Sequence, residues 1–320
     1  MTERYLPLLA TIVVFAALFV TGGILYNNFF STLVLGNLLV DNAFIITAAI
    51  GTTFVILSGG IDLSIGSMIG FVGVVMANLD AVGWHPLASA AVMLAFGLMF
   101  GAFQGFIIDL CEIQPFIITL AGLFLLRGSS FMVNLDSVPL RHPFVEAFAG
   151  ANIPLPGGGF LASSAIVMLV ALAVAIVIAH FTRFGTNVYA IGGDRTSAAL
   201  MGVPMRTTIV KIYALGGFYS ALGGVIYALY TASGYPLAGM GNELNAIASV
   251  VLGGTLLTGG VGMVAGTLFG GLILGLISTL IIFNGSLNGA WIMISSGVLL
   301  FLFIVMQRSL VGSFKLRGSA

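Results

Sequence analysis

Apolar residues run along this chain in long unbroken stretches, and charge is confined to the gaps between them. No Asp, Glu, Lys or Arg occurs from Tyr5 to Val40, Ala81 to Ile108, Ala147 to Thr182, Ile212 to Asn242 or Leu244 to Gln307. Each stretch holds at least one helix of the roughly 20 residues that cross hydrocarbon, and the last has room for two or three. Barrel strands would show short alternating segments instead, whereas a helix satisfies its own backbone in lipid. The pattern predicts an all-α polytopic integral membrane protein. Grouping the runs between polar or Gly/Pro punctuation gives about ten segments, near 5–28, 35–58, 61–79, 86–109, 113–133, 161–181, 208–231, 245–258, 261–283 and 288–307. The eighth is short for a span and is expected to be broken or re-entrant.

Composition sharpens this picture and removes several function classes. Of 320 residues, 59% are hydrophobic and 6% charged; a soluble domain carries about 25% charged residues, so this chain could not cover itself in water. The 44 glycines suit helices that approach closely or break. A net charge of zero leaves no basic footprint for nucleic acid. Lys211 and Lys315, the only lysines, follow Val210 and Phe314, so the chain has no Gly-Lys-Ser/Thr phosphate loop. His85, His142 and His180 are scattered without zinc spacing and read as interfacial or loop residues, with no metal site. The lone Cys111 reads as a small buried hydrophobe. No nucleophile–base pairing suggests hydrolysis. The run from Tyr5 to Tyr26 exceeds the about 7–15 residues of a signal-peptide core and counts as the first span.

Orientation follows from the cations. Arg183, Arg195, Arg206 and Lys211 share one polar stretch, Arg308, Lys315 and Arg317 follow the last span, and Arg4 precedes the first, which makes eight of the ten basic residues. Six spans before the 182–207 loop and four after it place all three groups, and both termini, in the cytoplasm. Arg127 and Arg141 fall at or in the long 134–160 loop, which this arrangement puts outside.

An internal repeat shows at an offset of 200. Leu57-Ser-Gly-Gly-Ile61 matches Leu257-Thr-Gly-Gly-Val261, Gly66-Ser67 matches Gly266-Thr267, and Gly70 matches Gly270. Two related hairpins around a shared path would give this pattern; so would convergent use of Gly-Gly turns. Gly59 and Gly60, like Gly259 and Gly260, can take positive φ and close a tight turn. Asp62 can then cap the next helix or serve substrate or gating. Since a carboxylate at the bilayer centre costs about 2.5–3.5 kcal/mol, the capping role near the interface is favoured. In the basic loop, Asp194 can cap a short helix through Met201, with Gly202 as its stop and Pro204 beyond. A capped helix there suits docking to a soluble partner, and equally a plain surface helix.

Four ordered segments carry a specific resemblance: Asn42-Ala-Phe-Ile-Ile through Gly70, Gln114-Pro-Phe-Ile-Ile-Thr-Leu-Ala-Gly122, Tyr189-Ala-Ile-Gly-Gly193 and Glu243-Leu-Asn-Ala-Ile-Ala-Ser-Val-Val-Leu-Gly-Gly-Thr255. Across roughly 35–308 the chain resembles the ribose-type family of ABC sugar permeases. Phe54-Val-Ile-Leu-Ser-Gly-Gly-Ile-Asp62, Ile153-Pro-Leu-Pro-Gly-Gly-Gly159 and Thr196-Ser-Ala-Ala-Leu-Met-Gly202 make it most similar to the bacterial galactofuranose permeases. The resemblance implies one permease domain over residues 1–320 in the inner membrane, translocating a monosaccharide. It implies pairing with a second permease chain (a heterodimer in the galactofuranose type), a cytoplasmic ABC ATPase docked on the loop helix, and a periplasmic sugar-binding protein. ATP and Mg would sit on the ATPase, with no cofactor on this chain. The implied docking residues are Asp194, Arg195, Thr196, Ser197, Leu200 and Gly202. Family members commonly read Asn-Glu-Ala-Ala there, so Arg195 reverses a charge at the implied contact.

Sugar recognition in an apolar bundle needs hydrogen-bonding and stacking side chains. The candidates are Asp41, Asn42, Phe116, Thr119, Asn242, Glu243, Asn245 and Trp291; as helix caps, Asp41, Asn242 and Glu243 have an ordinary role, as do Phe116 and Trp291 as packing aromatics. An ion-coupled secondary transporter is the rival class. It calls for acids deep in spans, and here only Asp41 lies clearly inside one.

Overall fold

The computed structural model describes the backbone of residues 2–285 and 290–317, with side chains for 7–285, 290–302 and 305. The side chains of Arg4, Arg308, Lys315 and Arg317, used above for orientation, lie outside the described residues, as do positions 288–289 of the last segment. The chain folds in order as α1 (Thr2–Leu25), α2 (Thr32–Leu57), α3 (Ile65–Ala81), α4 (Pro86–Leu110), α5 (Pro115–Val133), β1 (Val138–Pro139), α6 (Pro143–Gly150), β2 (Asn152–Pro154) and β3 (Phe160–Ala162). It continues as α7 (Ser163–Phe181), α8 (Arg183–Gly193), α9 (Arg195–Leu200), α10 (Met205–Thr231), β4 (Ser233–Gly234), α11 (Asn242–Leu252), α12 (Val264–Asn284) and α13 (Ala290–Arg317). The ten expected segments each correspond to a helix. Seven helices among the described residues are long and apolar enough to cross a membrane. Ile65–Ala81 and Ala290–Leu302 are shorter apolar helices, and α11 has only 11 residues.

Helix α2 is the axis of the bundle. It is buried without interruption from Ile45 to Leu57 and packs against α10, α12, α11 and α7. Helix α10 lies along α4 so closely that a Cβ on Gly101 would overlap the Tyr213 carbonyl, and one on Gly105 would stand 2.9 Å from Val210 Cα. Backbones this near pack by van der Waals contact alone, which is how helices associate where lipid is as apolar as their side chains. The outer surface is studded with exposed Val13, Phe103, Phe124, Val170 and Val177, as a lipid solvent permits.

The chain breaks twice in matching fashion. After α2 it turns at Gly59 (φ +81°) and re-enters helix at Ile65; after α11 it turns at Gly254, Gly259 and Gly260 (φ +88°, +84° and +75°) and re-enters at Val264. The 200-residue offset thus relates two real turns. They touch, because Gly260 N donates to Leu57 O at 2.9 Å. A further bond joins α2 to α12, between Thr53 Oγ1 and Thr267 Oγ1 at 2.7 Å. Gly60 departs from expectation: its φ is not positive, and glycine is needed there because a Cβ would overlap the Tyr213 hydroxyl.

Several other expectations are corrected. Arg127 lies within α5 rather than at the outer loop, half-buried, with Nη1 donating to Pro236 O and to Ala238 O, the latter at 2.9 Å. The 134–160 loop is ordered by α6, by β2–β3 and by β1, whose Val138 pairs with Gly234 of β4. His85 and His142 meet there with ring centroids 4.6 Å apart, each Nδ1 accepting the backbone N–H two residues on. No group of three or more metal-ligating side chains exists among the described residues. Cys111 is exposed, not buried.

Candidate functional site

One end of the bundle gathers the two turns, the C-terminus of α4, helices α8 and α9, and the start of α1, whose Thr11 Oγ1 donates to Leu252 O at 2.8 Å. At this end Thr182 caps α8 by accepting Gly185 N, and Val188 and Ile191 give the helix a buried face. Asp194 caps α9: Ser197 N donates to its Oδ1 at 2.6 Å, and that backbone hydrogen bond holds its carboxyl below the usual carboxylate range. The expected stop is also present, with Gly202 at φ +81°. Arg195 turns back toward α4, its Nη2 3.8 Å from Asp109 Oδ1, and Arg206 reaches the other oxygen of Asp109 at 3.9 Å. Arg206 also lies 4.9 Å above the Phe106 ring. The charge at position 195 is therefore engaged within the chain. Thr196 and Ser197 face outward, and Leu200 and Met201 are 85% and 72% exposed, so the helix ends in an apolar tip beyond the bundle.

Asp62 does something other than cap a helix. It is buried, and its Oδ1 accepts both Ser64 N (2.8 Å) and Ser64 Oγ (2.7 Å), an Asx turn over residues 62–64 that leads into α3 at Ile65. Thr119 is part of this same turn region, donating to Ile61 O (3.3 Å) and Pro115 O (3.0 Å), while Phe116 is half-exposed nearby on α5. These two residues stand away from the cavity described next.

Along the flank of the bundle, α2, α11, α12 and α13 line a half-open cavity of about 160 Å³. Its wall brings together four of the eight candidates, Asp41, Asn42, Asn242 and Asn245, with Ser249, Ser278 and Ser296. Asn245 Nδ2 donates to Asn242 Oδ1 at 3.1 Å, and Tyr230 Oη donates to Asp41 Oδ1 at 2.7 Å. Asn42 is oriented by its own Nδ2 donating to Leu38 O. Trp291 sits on α13 beside the lining residues Ile292 and Met293 but is half-exposed and does not line the space. Glu243 points the other way, against Gly66 of α3, where it attracts the Arg127 guanidinium. The serines were not among the candidates. Ser249 falls on the same face of α11 as Asn242 and Asn245, at i+7, but its hydroxyl donates to Asn245 O at 2.8 Å.

Broken and unbroken apolar helices thus pack beside a small polar cavity, with a capped helix outside them, and similarity to known proteins gives this arrangement its class: a membrane permease. The chain belongs to the ABC-transporter permease family whose model, described as branched-chain amino acid transport system / permease component, matches residues 34–305. It is 49% identical to the inner membrane ABC transporter permease protein YjfF of Escherichia coli K12, over 100% of this chain and 97% of that one. It is 33% identical to the fructose import permease FruG of Bifidobacterium longum (97% and 92% covered), and 37% identical to the ribose import permease RbsC of Escherichia coli K12 (78% of each). No solved structure matches the chain. Within the family the relatives are ribose-type sugar permeases. The chain is accordingly a transport subunit of an ABC importer of sugars, with ATP hydrolysis on a separate ATPase.

Proposed function

We propose that this chain translocates a monosaccharide, galactofuranose, across the bacterial inner membrane as one of two different paired permease chains. The observation that carries this reading is the cavity: amide, carboxylate and hydroxyl groups on four apolar helices line one half-open space, the chemistry a polyol needs. At about 160 Å³ it is smaller than the roughly 300–1,000 Å³ of a complete ligand pocket, which fits a wall that a second permease chain completes. A periplasmic binding protein delivers the sugar to the end bearing α6 and the β2–β3 hairpin. The opposite, basic end faces the cytoplasm, so both termini are cytoplasmic. There α9 docks the ATPase through Leu200 and Met201, and ATP and Mg are bound on that partner.

The test is sugar-stimulated ATPase activity of the reconstituted complex with its own binding protein. Galactofuranose should stimulate at least tenfold more effectively than ribose or xylose at equal concentration. Equal stimulation by ribose and galactofuranose removes the substrate assignment, and no stimulation by any monosaccharide removes the reading as a whole.

A further inference from the structure

The two chain breaks and the C-terminal end of α8 converge on one point. A Cβ on Gly192 would overlap the Leu57 carbonyl and stand 2.5 Å from Gly260 N. Gly192 is thus wedged against the hydrogen bond that joins the two turns, Gly260 N to Leu57 O. A Cβ on Gly259 would stand 2.7 Å from Gly59 N and 3.1 Å from Gly192 Cα, and one on Gly260 would stand 2.8 Å from Gly193 Cα. Three backbones cross here with no side chain between them. Helix α8 is fastened to the second turn as well, through Tyr189 Oη donating to Gly262 O at 2.9 Å.

A contact through side chains can absorb a small displacement by changing rotamers; a contact between backbones has none to change. The residue after Gly193 is Asp194, the cap of α9, so movement of α9 reaches this crossing over two residues. From the crossing, α2 runs back to Asp41 and Asn42 in the cavity wall, about 24 Å at about 1.5 Å per residue. Helix α11 runs back from the second turn to Asn245 and Asn242 in the same wall.

We propose that Gly192 is the positioning residue through which the docking helix moves both chain breaks, and with them both sides of the cavity, as one unit. This rests on the docking role given to α9 above. Displacement of α9 by the ATPase shifts the two turns together because the α8 end abuts both, and Gly192 is required there because any side chain would pry the turns from α8.

The experiment is uptake and ATP hydrolysis measured on the same proteoliposomes containing the full complex. Gly192→Ala should leave ATPase assembly in pull-down and sugar-stimulated hydrolysis within about twofold of wild type, while sugar moved per ATP falls tenfold or more. Gly193→Ala is the matched control, since a Cβ there meets nothing within 4 Å, and its ratio should stay within twofold. Leu200→Glu separates the two readings by blocking ATPase assembly. An unchanged transport ratio in Gly192→Ala, with Leu200→Glu still blocking assembly, overturns the Gly192 role and keeps the docking role. A parallel loss of assembly, hydrolysis and uptake in Gly192→Ala makes the residue merely structural and also overturns it. Full assembly and uptake with Leu200→Glu overturns the docking role itself. Should Gly192→Ala fail to accumulate, Tyr189→Phe carries the test: removing the bond to Gly262 should lower the ratio about threefold, and an unchanged ratio overturns the proposal.

Discussion

Asn245 and Asp194 show what single side chains contribute at the two ends of the route. Asn245 offers an amide to the cavity while its Nδ2 steadies Asn242. Loss of one neutral hydrogen bond costs about 0.5–1.5 kcal/mol, roughly 2- to 12-fold in affinity. Asn245→Ala should therefore raise the apparent KM for uptake within that range and leave ATPase assembly unchanged; an unaltered KM takes Asn245 off the route. Asp194 acts through its charge on the Ser197 N–H. Its pKa is lowered on folding, so the stabilisation is complete above the unfolded value of about 3.8 and fades only as pH falls through the folded one. Docking should be independent of this cap from pH 8 to pH 5. Asp194→Asn, which keeps an acceptor, should retain ATPase binding in pull-down where Asp194→Ala weakens it. Asp41, Asn42, Asn242 and Asn245 could be picked out because amides and acids are rare beside apolar runs; that they share one wall was not visible in the sequence. Ser249 and Ser278 could not be picked out, since a serine in a helix can satisfy itself on the carbonyl four residues back, as both do. Arg127 was misplaced because it stands near the end of its apolar run, and its partners are carbonyls over 100 residues away in sequence.

Among the elements, α9 was readable from three residues: the cap, the left-handed glycine and the proline beyond it. Helix α8 was not. Its sequence holds Gly185, Gly192 and Gly193, a poor composition for a helix, and it forms because Thr182 caps it and its Val188–Ile191 face is buried against the bundle. The ten apolar segments were found because hydropathy alone sets them. Which of them span fully depended on turn positions that no run of hydrophobic residues marks. The α4–α10 seam gives a measurable case of close approach. Gly101→Ala drives a methyl into the Tyr213 carbonyl, and overpacking of this kind costs about 1–3 kcal/mol, so the thermal unfolding midpoint in detergent should drop. Gly128→Ala on α5, where a Cβ meets nothing within 4 Å, should leave the midpoint unchanged or slightly higher. Equal behaviour of the two variants would contradict the seam.

For the molecule as a whole, sidedness is the property most directly open to test, and the chain carries its own probe. Cys111, the only cysteine, is exposed two residues beyond Asp109, at the same end as the docking helix. A membrane-impermeant thiol reagent should leave it unlabelled in intact spheroplasts and label it in inside-out vesicles stripped of ATPase. Labelling from the outside would invert the topology. The positive-inside count predicts the cytoplasmic side for this end, because Arg183, Arg195, Arg206 and Lys211 lie in or beside its loop.

Helix α11 has a consequence for how the protein is made. Its 11 residues extend about 16 Å at about 1.5 Å per residue, roughly half of the hydrocarbon thickness of about 30 Å. A nascent chain ending at Leu252 presents the translocon with a segment too short to settle across the bilayer, with its last carbonyls unsatisfied. The turn glycines and α12 must be synthesised before that segment has a place to rest. Residues 242–284 are therefore expected to enter the membrane as a pair, so that a chain truncated at Leu252 should leave α11 uninserted and accessible to protease.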